Sequence, residues 1–464
     1  MSVFIFSFLL LFSCAKDSEF FVDAILETPE EIVEDTNTPP VERVTPPPPP
    51  NTTNTNKIEG TYYPESAADM ADASKTNFKA IINKSFNCTN CTLAPNQTIE
   101  PAGGIISGTK INLNGAYIIN NNKQAFSVGS SFSEIYEMSK LSPEIFGGFA
   151  DDTTDDTPAI DALINNSAFG IATSGGQYLK NAPSTYTRLG FFDWDLNGAK
   201  VVTNNVSKFR INTFDVDYIF TMTNLNPRIY NGEFDGTETY GRLFWLRGQQ
   251  SFYFADLITK NYYSTSNARA IVFRLDLYPK SKGFTQGEML RNNIDNIKSE
   301  SDGIANNVYG LSKGIWIDLH EAGTSNVFLE DNTITNIFGD DAECLYIAPA
   351  GSHVSMTNNN YFYLNRETYK FAKRRQAKIT VSNVHVKNSY FEAPLVEQDF
   401  NGQAAVIFDA FSTNSNGELN KNFEFINNDI VWASGNWMET FPYSLVYGVQ
   451  GMSGSGNSAT ISNN

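Results

Sequence analysis

Hydrophobic and polar positions alternate in short stretches from about residue 92 almost to the end of the chain, as in Val384-His385-Val386-Lys387 and Phe423-Glu424-Phe425. A period of two places successive side chains on opposite faces, so these stretches predict short strands. After residue 170 no apolar stripe of helical period runs longer than about three turns. Asn followed two positions on by a large apolar residue recurs at Asn292-Asn293-Ile294, Asn332-Thr333-Ile334, Asn360-Tyr361-Phe362, Asn388-Ser389-Tyr390 and Asn428-Asp429-Ile430, at spacings of 40, 28, 28 and 40. One coil of a parallel β-helix takes roughly 20–30 residues, and loops lengthen it. Asn at equivalent corners of such coils turns the chain and stacks into an internal amide ladder. A β-sandwich would need turns every 8–12 residues or so, and tight Asn-Gly steps such as Asn197-Gly198 and Asn231-Gly232 are sparse. The pattern therefore predicts an all-β fold, a right-handed single-stranded parallel β-helix.

The first sixty residues follow another pattern. Residues 2–13 are an apolar run that ends at Cys14, and it falls short of the roughly 20 residues of a membrane-spanning helix. Leu11-Phe12-Ser13-Cys14 resembles a lipobox, which implies a cleaved signal and a lipid on Cys14. Asp17 and Glu19 just beyond resemble the signal that sends some lipoproteins to the outer-membrane surface. Residues 15–60 are acidic, rich in Thr and carry five consecutive prolines at 46–50. Such a segment buries no core and reads as an extended tether. The predicted organisation is a lipoprotein signal at 1–14, a tether at 15–60, an N-terminal cap with leading strands at 61–144, and the β-helix at 145–464.

Residues 145–164 read Ile-Phe-Gly-Gly-Phe-Ala-Asp-Asp-Thr-Thr-Asp-Asp-Thr-Pro-Ala-Ile-Asp-Ala-Leu-Ile. This resembles the opening signature of the pectate-lyase-like superfamily: Phe-Gly-Ala, an acidic segment, Asp-Asp-Thr, then an Ala-Ile helix. Asp156 and Thr157 suit a helix N-cap, with Pro158 in the first turn. Ala159, Ile160, Leu163 and Ile164 form its apolar stripe. The resemblance implies a short helix that caps the coil and covers strand edges. It specifies architecture rather than activity.

The formal net charge is −18, which argues against nucleic acid or an anionic membrane surface as partner. A membrane contact is expected only through the lipid anchor. Within this acidic chain, Lys370, Lys373, Arg374, Arg375 and Lys378 place five cations in nine residues. Such a cluster suits the carboxylates or sulfates of an acidic polysaccharide. Residues 338–347, Phe-Gly-Asp-Asp-Ala-Glu-Cys-Leu-Tyr-Ile, resemble the Gly-Asp-Asp step of polygalacturonases, whose paired aspartates supply acid and base. Alternation puts Asp341 and Glu343 on one strand face, with Asp340, Cys344 and Tyr346 on the other. Neighbouring carboxylates raise one another's pKa, so that one stays protonated while another acts as base or nucleophile. Asp302 resembles the upstream aspartate of that family. The family's Gly-His-Gly is missing, and Ser352-His353 stands in its place. A turn with solvated acids remains the plainer reading of these residues.

His320 shares a strand face with Asp318 and reads as a hydrogen-bonded strand histidine, with an acid/base or metal role as the sharper reading. His385 reads as solvent-facing. Cys88-Thr89-Asn90-Cys91 predicts a local disulfide rather than a zinc site, and Cys344 a small buried group. No metal site and no cofactor are called for, although room is left for a structural or catalytic Ca2+. The expectation is an extracellular carbohydrate-active protein, a glycoside hydrolase or polysaccharide lyase cleaving an acidic polysaccharide. Asp341, Glu343, Asp340 and Asp302 would be catalytic; Arg374, Arg375, Lys373, Lys378 and His353 would bind substrate. The competing expectation is a glycan-binding or adhesin β-helix without turnover.

Overall fold

The computed structural model describes Arg43 and residues 54–204, 218–264, 269–299, 311–339, 341–350, 359–372, 375–393, 406–408, 423–432, 446–447 and 459–462. Cys14, Asp302, Asp340, His353, Lys373 and Arg374 lie outside the described residues, as does nearly all of 1–53. Parallel strands dominate the rest. Sheet I has nine of them: β1 (Ser184–Tyr186), β2 (Phe220–Thr223), β3 (Arg242–Arg247), β4 (Arg269–Leu277), β5 (Leu311–Leu319), β6 (Asp341–Pro349), β7 (Arg375–Ile379), β8 (Val406–Phe408) and β9 (Val446–Tyr447). Each pairs in parallel with the next along the chain.

Between successive strands of sheet I the chain gives to an eighteen-stranded sheet II either two strands or, between β2 and β3 and between β3 and β4, one long one (Leu225–Asp235 and Ser251–Ser264). After β4 come Gln286–Leu290 and Asn293–Ser299, and after β5 come Thr324–Glu330 and Thr333–Phe338. The result is an all-β parallel solenoid whose coils stack in register. Shorter parallel pairs extend the stack towards the N-terminus, as in Gly60–Tyr62 on Phe78–Ile82. No helix among the described residues is long and apolar enough to cross a membrane.

The core lies between the sheets and repeats along the axis. Phe220, Phe244 and Phe273 stack on successive strands with centroids 5.1 and 5.3 Å apart. Leu246, Leu275, Ile317 and Ile347 form a second fully buried row. Stacking like residues at a constant spacing lets each coil bury the apolar face of the one before it.

Corners explain the Asn-rich composition. Among the described residues, fourteen of the twenty-four non-glycine residues at positive φ are Asn, the residue that tolerates the left-handed region best after Gly. One corner row instead holds Asp256, Arg291, Asp331 and Arg366 at φ of 54–58°. Two-pronged ion pairs offset that strain: Arg291 binds Asp256 at 2.7 Å, and Arg366 binds Asp331 at 2.6 and 2.7 Å.

The internal ladder forms, with altered membership. Asn292 Nδ2 donates to Asn332 Oδ1 (2.9 Å), Asn332 Nδ2 to Glu367 Oε1 (2.9 Å), Glu367 N to Ser389 Oγ (3.1 Å) and Ser389 N to Asn428 Oδ1 (2.9 Å). Asn360 and Asn388 do not belong to it. Asn360 pairs with Ser325 at another corner, and Asn388 takes the left-handed turn position one residue before the ladder. Glu367 and Ser389 stand where the Asn repeat predicted amides, because the corner selects for hydrogen-bonding reach rather than for Asn itself. Asn332→Ala should cost about 3 kcal/mol, since it strips partners from Asn292 and the buried Glu367. Amide exchange of Asn293–Ser299 and Thr333–Phe338 should then accelerate about a hundredfold; unchanged protection there would contradict a structural role for the ladder.

Helix α1 (Thr157–Asn166) forms where the signature placed it, with Pro in its first turn and Ala159, Ile160, Leu163 and Ile164 buried. Asp156 makes no side-chain cap. Its carboxylate accepts from Phe149 N and Leu179 N instead, and Asp155 Oδ1 accepts from Thr157 N. The helix lies beside β1, where Asp161 accepts from Tyr186 Oη (2.6 Å), Ser184 Oγ (2.7 Å) and the buried Lys180 Nζ (3.0 Å). The stack continues past the helix, since Tyr136 bridges Ser167 and Leu141 bridges Gly170. Cys88 and Cys91 are joined by a disulfide, and Cys344 is a buried free thiol.

Candidate functional site

Sheet I turns Phe244, Phe273, Ile315 and Leu345 inward and the residues that follow them outward. Thr221, Trp245, Arg274, Trp316, Tyr346 and Lys378 therefore stand in register on six successive strands. Two positions on, a second row runs Thr223, Arg247, Asp276, Asp318 and Ala348. A third runs Arg242, Ile271, Lys313, Glu343 and Arg375. All the charged residues of the nine strands are seven cations (Arg242, Arg247, Arg269, Arg274, Lys313, Arg375, Lys378) and four acids (Asp276, Asp318, Asp341, Glu343). A chain of net charge −18 thus carries a surplus of positive charge on this sheet.

Two clusters occupy the face. In the first, Arg274 stands between the rings of Trp245 and Trp316, with Cζ 4.8 and 5.2 Å from their centroids. Its guanidinium reaches Asp276 Oδ1 at 3.3 Å and Asp318 Oδ2 at 3.5 Å. Each indole N–H donates to one carboxylate: Trp245 Nε1 to Asp276 Oδ2 (2.9 Å) and Trp316 Nε1 to Asp318 Oδ1 (2.6 Å). Half-exposed Arg247 lies 3.7 Å from Asp276 and over the Trp245 ring. His320 stacks on Tyr278 at 4.3 Å, and its Nε2 stands 3.8 Å from Asp276 Oδ1 with no hydrogen-bond partner among the described residues.

The two carboxyls are unlike. Burial opposes ionisation of Asp276, yet the His320 ring, Arg274 and the Trp245 indole together hold its carboxyl below the ordinary range. Burial pushes the Asp318 carboxyl up, and the charge of Asp276 adds to that push. Oxygen and nitrogen atoms of Asp276, Asp318 and His320 come within 4.8 Å of one another, a possible metal-donor set. Arg274 already supplies the positive charge between the two carboxylates, so the set suits a shared proton better than a metal ion.

In the second cluster the predicted acids meet the predicted cations. Lys313 Nζ contacts Glu343 and lies 3.2 Å from Asp341, while Arg375 reaches Glu343 at 3.0 Å and Asp341 at 3.3 Å. Glu343 is fully buried. Two carboxylates facing two cations act as counter-ions, which leaves neither as an evident proton carrier. Tyr346 lies on the same side as Glu343, since Lys313 Nζ also sits 5.1 Å from its ring. Alternation predicted the opposite; pairing skips the residue between Glu343 and Leu345, and the two-residue period breaks there. Lys378 lies 5.5 Å from the Tyr346 ring and forms no ion pair among the described residues. Burial, then Arg375, lowers its pKa.

Of the sequence candidates, the structure brings together Asp341, Glu343, Arg375 and Lys378. Lys370 belongs to sheet II and pairs with Glu392 at 3.7 Å. His385 does not simply face solvent: it extends a ring stack with Phe328 and Tyr363 and binds Glu424 at 2.8 Å. Sequence reasoning missed Asp276, Arg274, Trp245 and Lys313. A signal for most of them exists in the repeated four-residue strand core Phe-Trp-Leu-Arg (244–247), Phe-Arg-Leu-Asp (273–276), Ile-Trp-Ile-Asp (315–318) and Leu-Tyr-Ile-Ala (345–348). Compared with protein-family models, curated proteins and solved structures, the chain has no significant match.

Proposed function

We propose that this chain is a surface lipoprotein, anchored through Cys14, whose β-helix is right-handed, belongs to the pectate-lyase-like superfamily, and binds and cleaves an acidic polysaccharide on the outer face of sheet I. One observation carries the reading: an acidic chain gathers surplus cations and in-register aromatic rings along a single parallel sheet. Successive strands lie about 4.8 Å apart, close to the advance of one sugar unit in an extended glycan. Rings offer apolar sugar faces a platform, and Arg and Lys answer carboxylate or sulfate. Helix α1 would serve as the edge cap of sheet I.

Arg247 and Lys378 are the cations to test, being the least tied up. Arg247→Ala with Lys378→Ala should weaken binding of polygalacturonate, alginate and chondroitin sulfate about tenfold at low salt, and progressively less as salt rises. Wild-type affinity in the double variant, or equal affinity of the native protein for neutral glycans, would overturn the reading. A binding protein without turnover is the second reading, favoured by the neutralised pair Asp341 and Glu343.

A further inference from the structure

Building on the proposed cleavage of a glycan at sheet I, we infer that Asp276 and Asp318 form the catalytic pair of a retaining glycoside hydrolase, with Asp276 as nucleophile and Asp318 as acid and base. Three independent features converge. The two side chains stand in register on adjacent strands and point from the same face. Their nearest oxygens lie within 4.8 Å, well short of the roughly 6.5–9.5 Å that leaves room for a water in inverting pairs, which puts them on the retaining side of that divide. Arg274 touches both carboxyls while Arg247 reaches Asp276 alone, so the cations favour the ionised form of Asp276 and leave Asp318, which has only a share of Arg274, the carboxyl that keeps its proton. The opposite displacements of the two pKa values agree with that division of labour.

The neighbours fit the roles. Trp245 and Trp316 each fix one oxygen of a carboxylate by an indole N–H. Asp276 thereby keeps Oδ1 directed towards His320 and Arg274, and Asp318 keeps Oδ2 towards Arg274. Half-exposed Arg247 is the group beside Asp276 that an incoming uronate carboxylate would draw outward, uncovering the nucleophile. In the first step an Asp276 oxygen bonds to the anomeric carbon while the bond to the leaving oxygen breaks, and Asp318 gives that oxygen its proton. In the second step Asp318 takes a proton from water, whose oxygen displaces Asp276 from the same carbon. The sum is glycan plus water giving two shorter chains, with the proton back on Asp318 and the configuration retained.

The test follows the products of polygalacturonate, alginate and chondroitin sulfate by proton NMR of the first-formed anomer and by ultraviolet absorbance. Retention without absorbance is expected. Asp318→Asn should lower turnover at least a thousandfold, keep the circular dichroism spectrum and abolish the alkaline limb of the pH–rate profile, where the general acid loses its proton. Asp318→Ala with azide, given an aryl uronide whose leaving group departs without a proton, should recover turnover and yield a glycosyl azide, which no merely structural role would produce. Inversion, or full turnover in Asp318→Asn, overturns the assignment. An absorbing unsaturated product overturns it too, while leaving glycan cleavage on sheet I standing. Binding of all three glycans without any cleavage overturns both.

Discussion

Arg375→Met should cost the fold about 3–5 kcal/mol, the order expected when a buried ion pair loses one partner. Glu343 has no route to water, and both its oxygens rest on Lys313 and Arg375. Without the guanidinium, one lysine must answer both Glu343 and Asp341. Combining Arg375→Met with Glu343→Leu should recover much of the loss, because an apolar pair removes the buried charge together with its partner. Denaturant unfolding, with amide exchange of β6 and β7 as a local probe, measures both variants. Strictly additive losses would show that the two side chains do not depend on each other.

Glu367 should give the protein an alkaline weakness. Burial raises its carboxyl to about 8, against the hydrogen bonds from Tyr369 and Asn332 that favour the charged form. Unfolded, the group ionises near its ordinary 4.5. Between these values the folded chain holds one proton more than the unfolded chain, so stability falls as pH rises through the window. The contribution is fully present below pH 4.5 and gone above pH 8. At about 1.4 kcal/mol per pH unit its ceiling is roughly 5 kcal/mol. Glu367→Gln keeps the shape and the acceptor for Asn332 but cannot ionise. Its melting temperature should exceed that of the native protein at pH 9, and the two should converge near pH 5. Parallel melting curves across that range would show that Glu367 does not titrate in the fold.

The solenoid was legible because its rules are local. Two-residue alternation gave the strands, Pro158 and the apolar stripe gave α1, and Asn292, Asn332 and Asn428 gave the true ladder positions. What failed depended on register. Asn360 and Asn388 share the motif of the ladder residues but not their corner, and Glu367 occupies the place of an amide without resembling one. Asp318 drew notice beside His320, while its partner Asp276, forty-two residues earlier, carries no mark until the strands are aligned. Asp341 and Glu343 were conspicuous in sequence for the same property that made them counter-ions here, a high local density of charge.

In-register stacking gives this protein a unit of length. Each strand of sheet I repeats its neighbour's offset, so an insertion or loss of one whole coil leaves every remaining pairing intact, whereas a change of one residue within a strand exchanges its inner and outer faces. Evolution can therefore lengthen or shorten the row from Trp245 to Lys378 only by steps of one coil, about 4.8 Å, and the loops between strands are free to vary without disturbing the count.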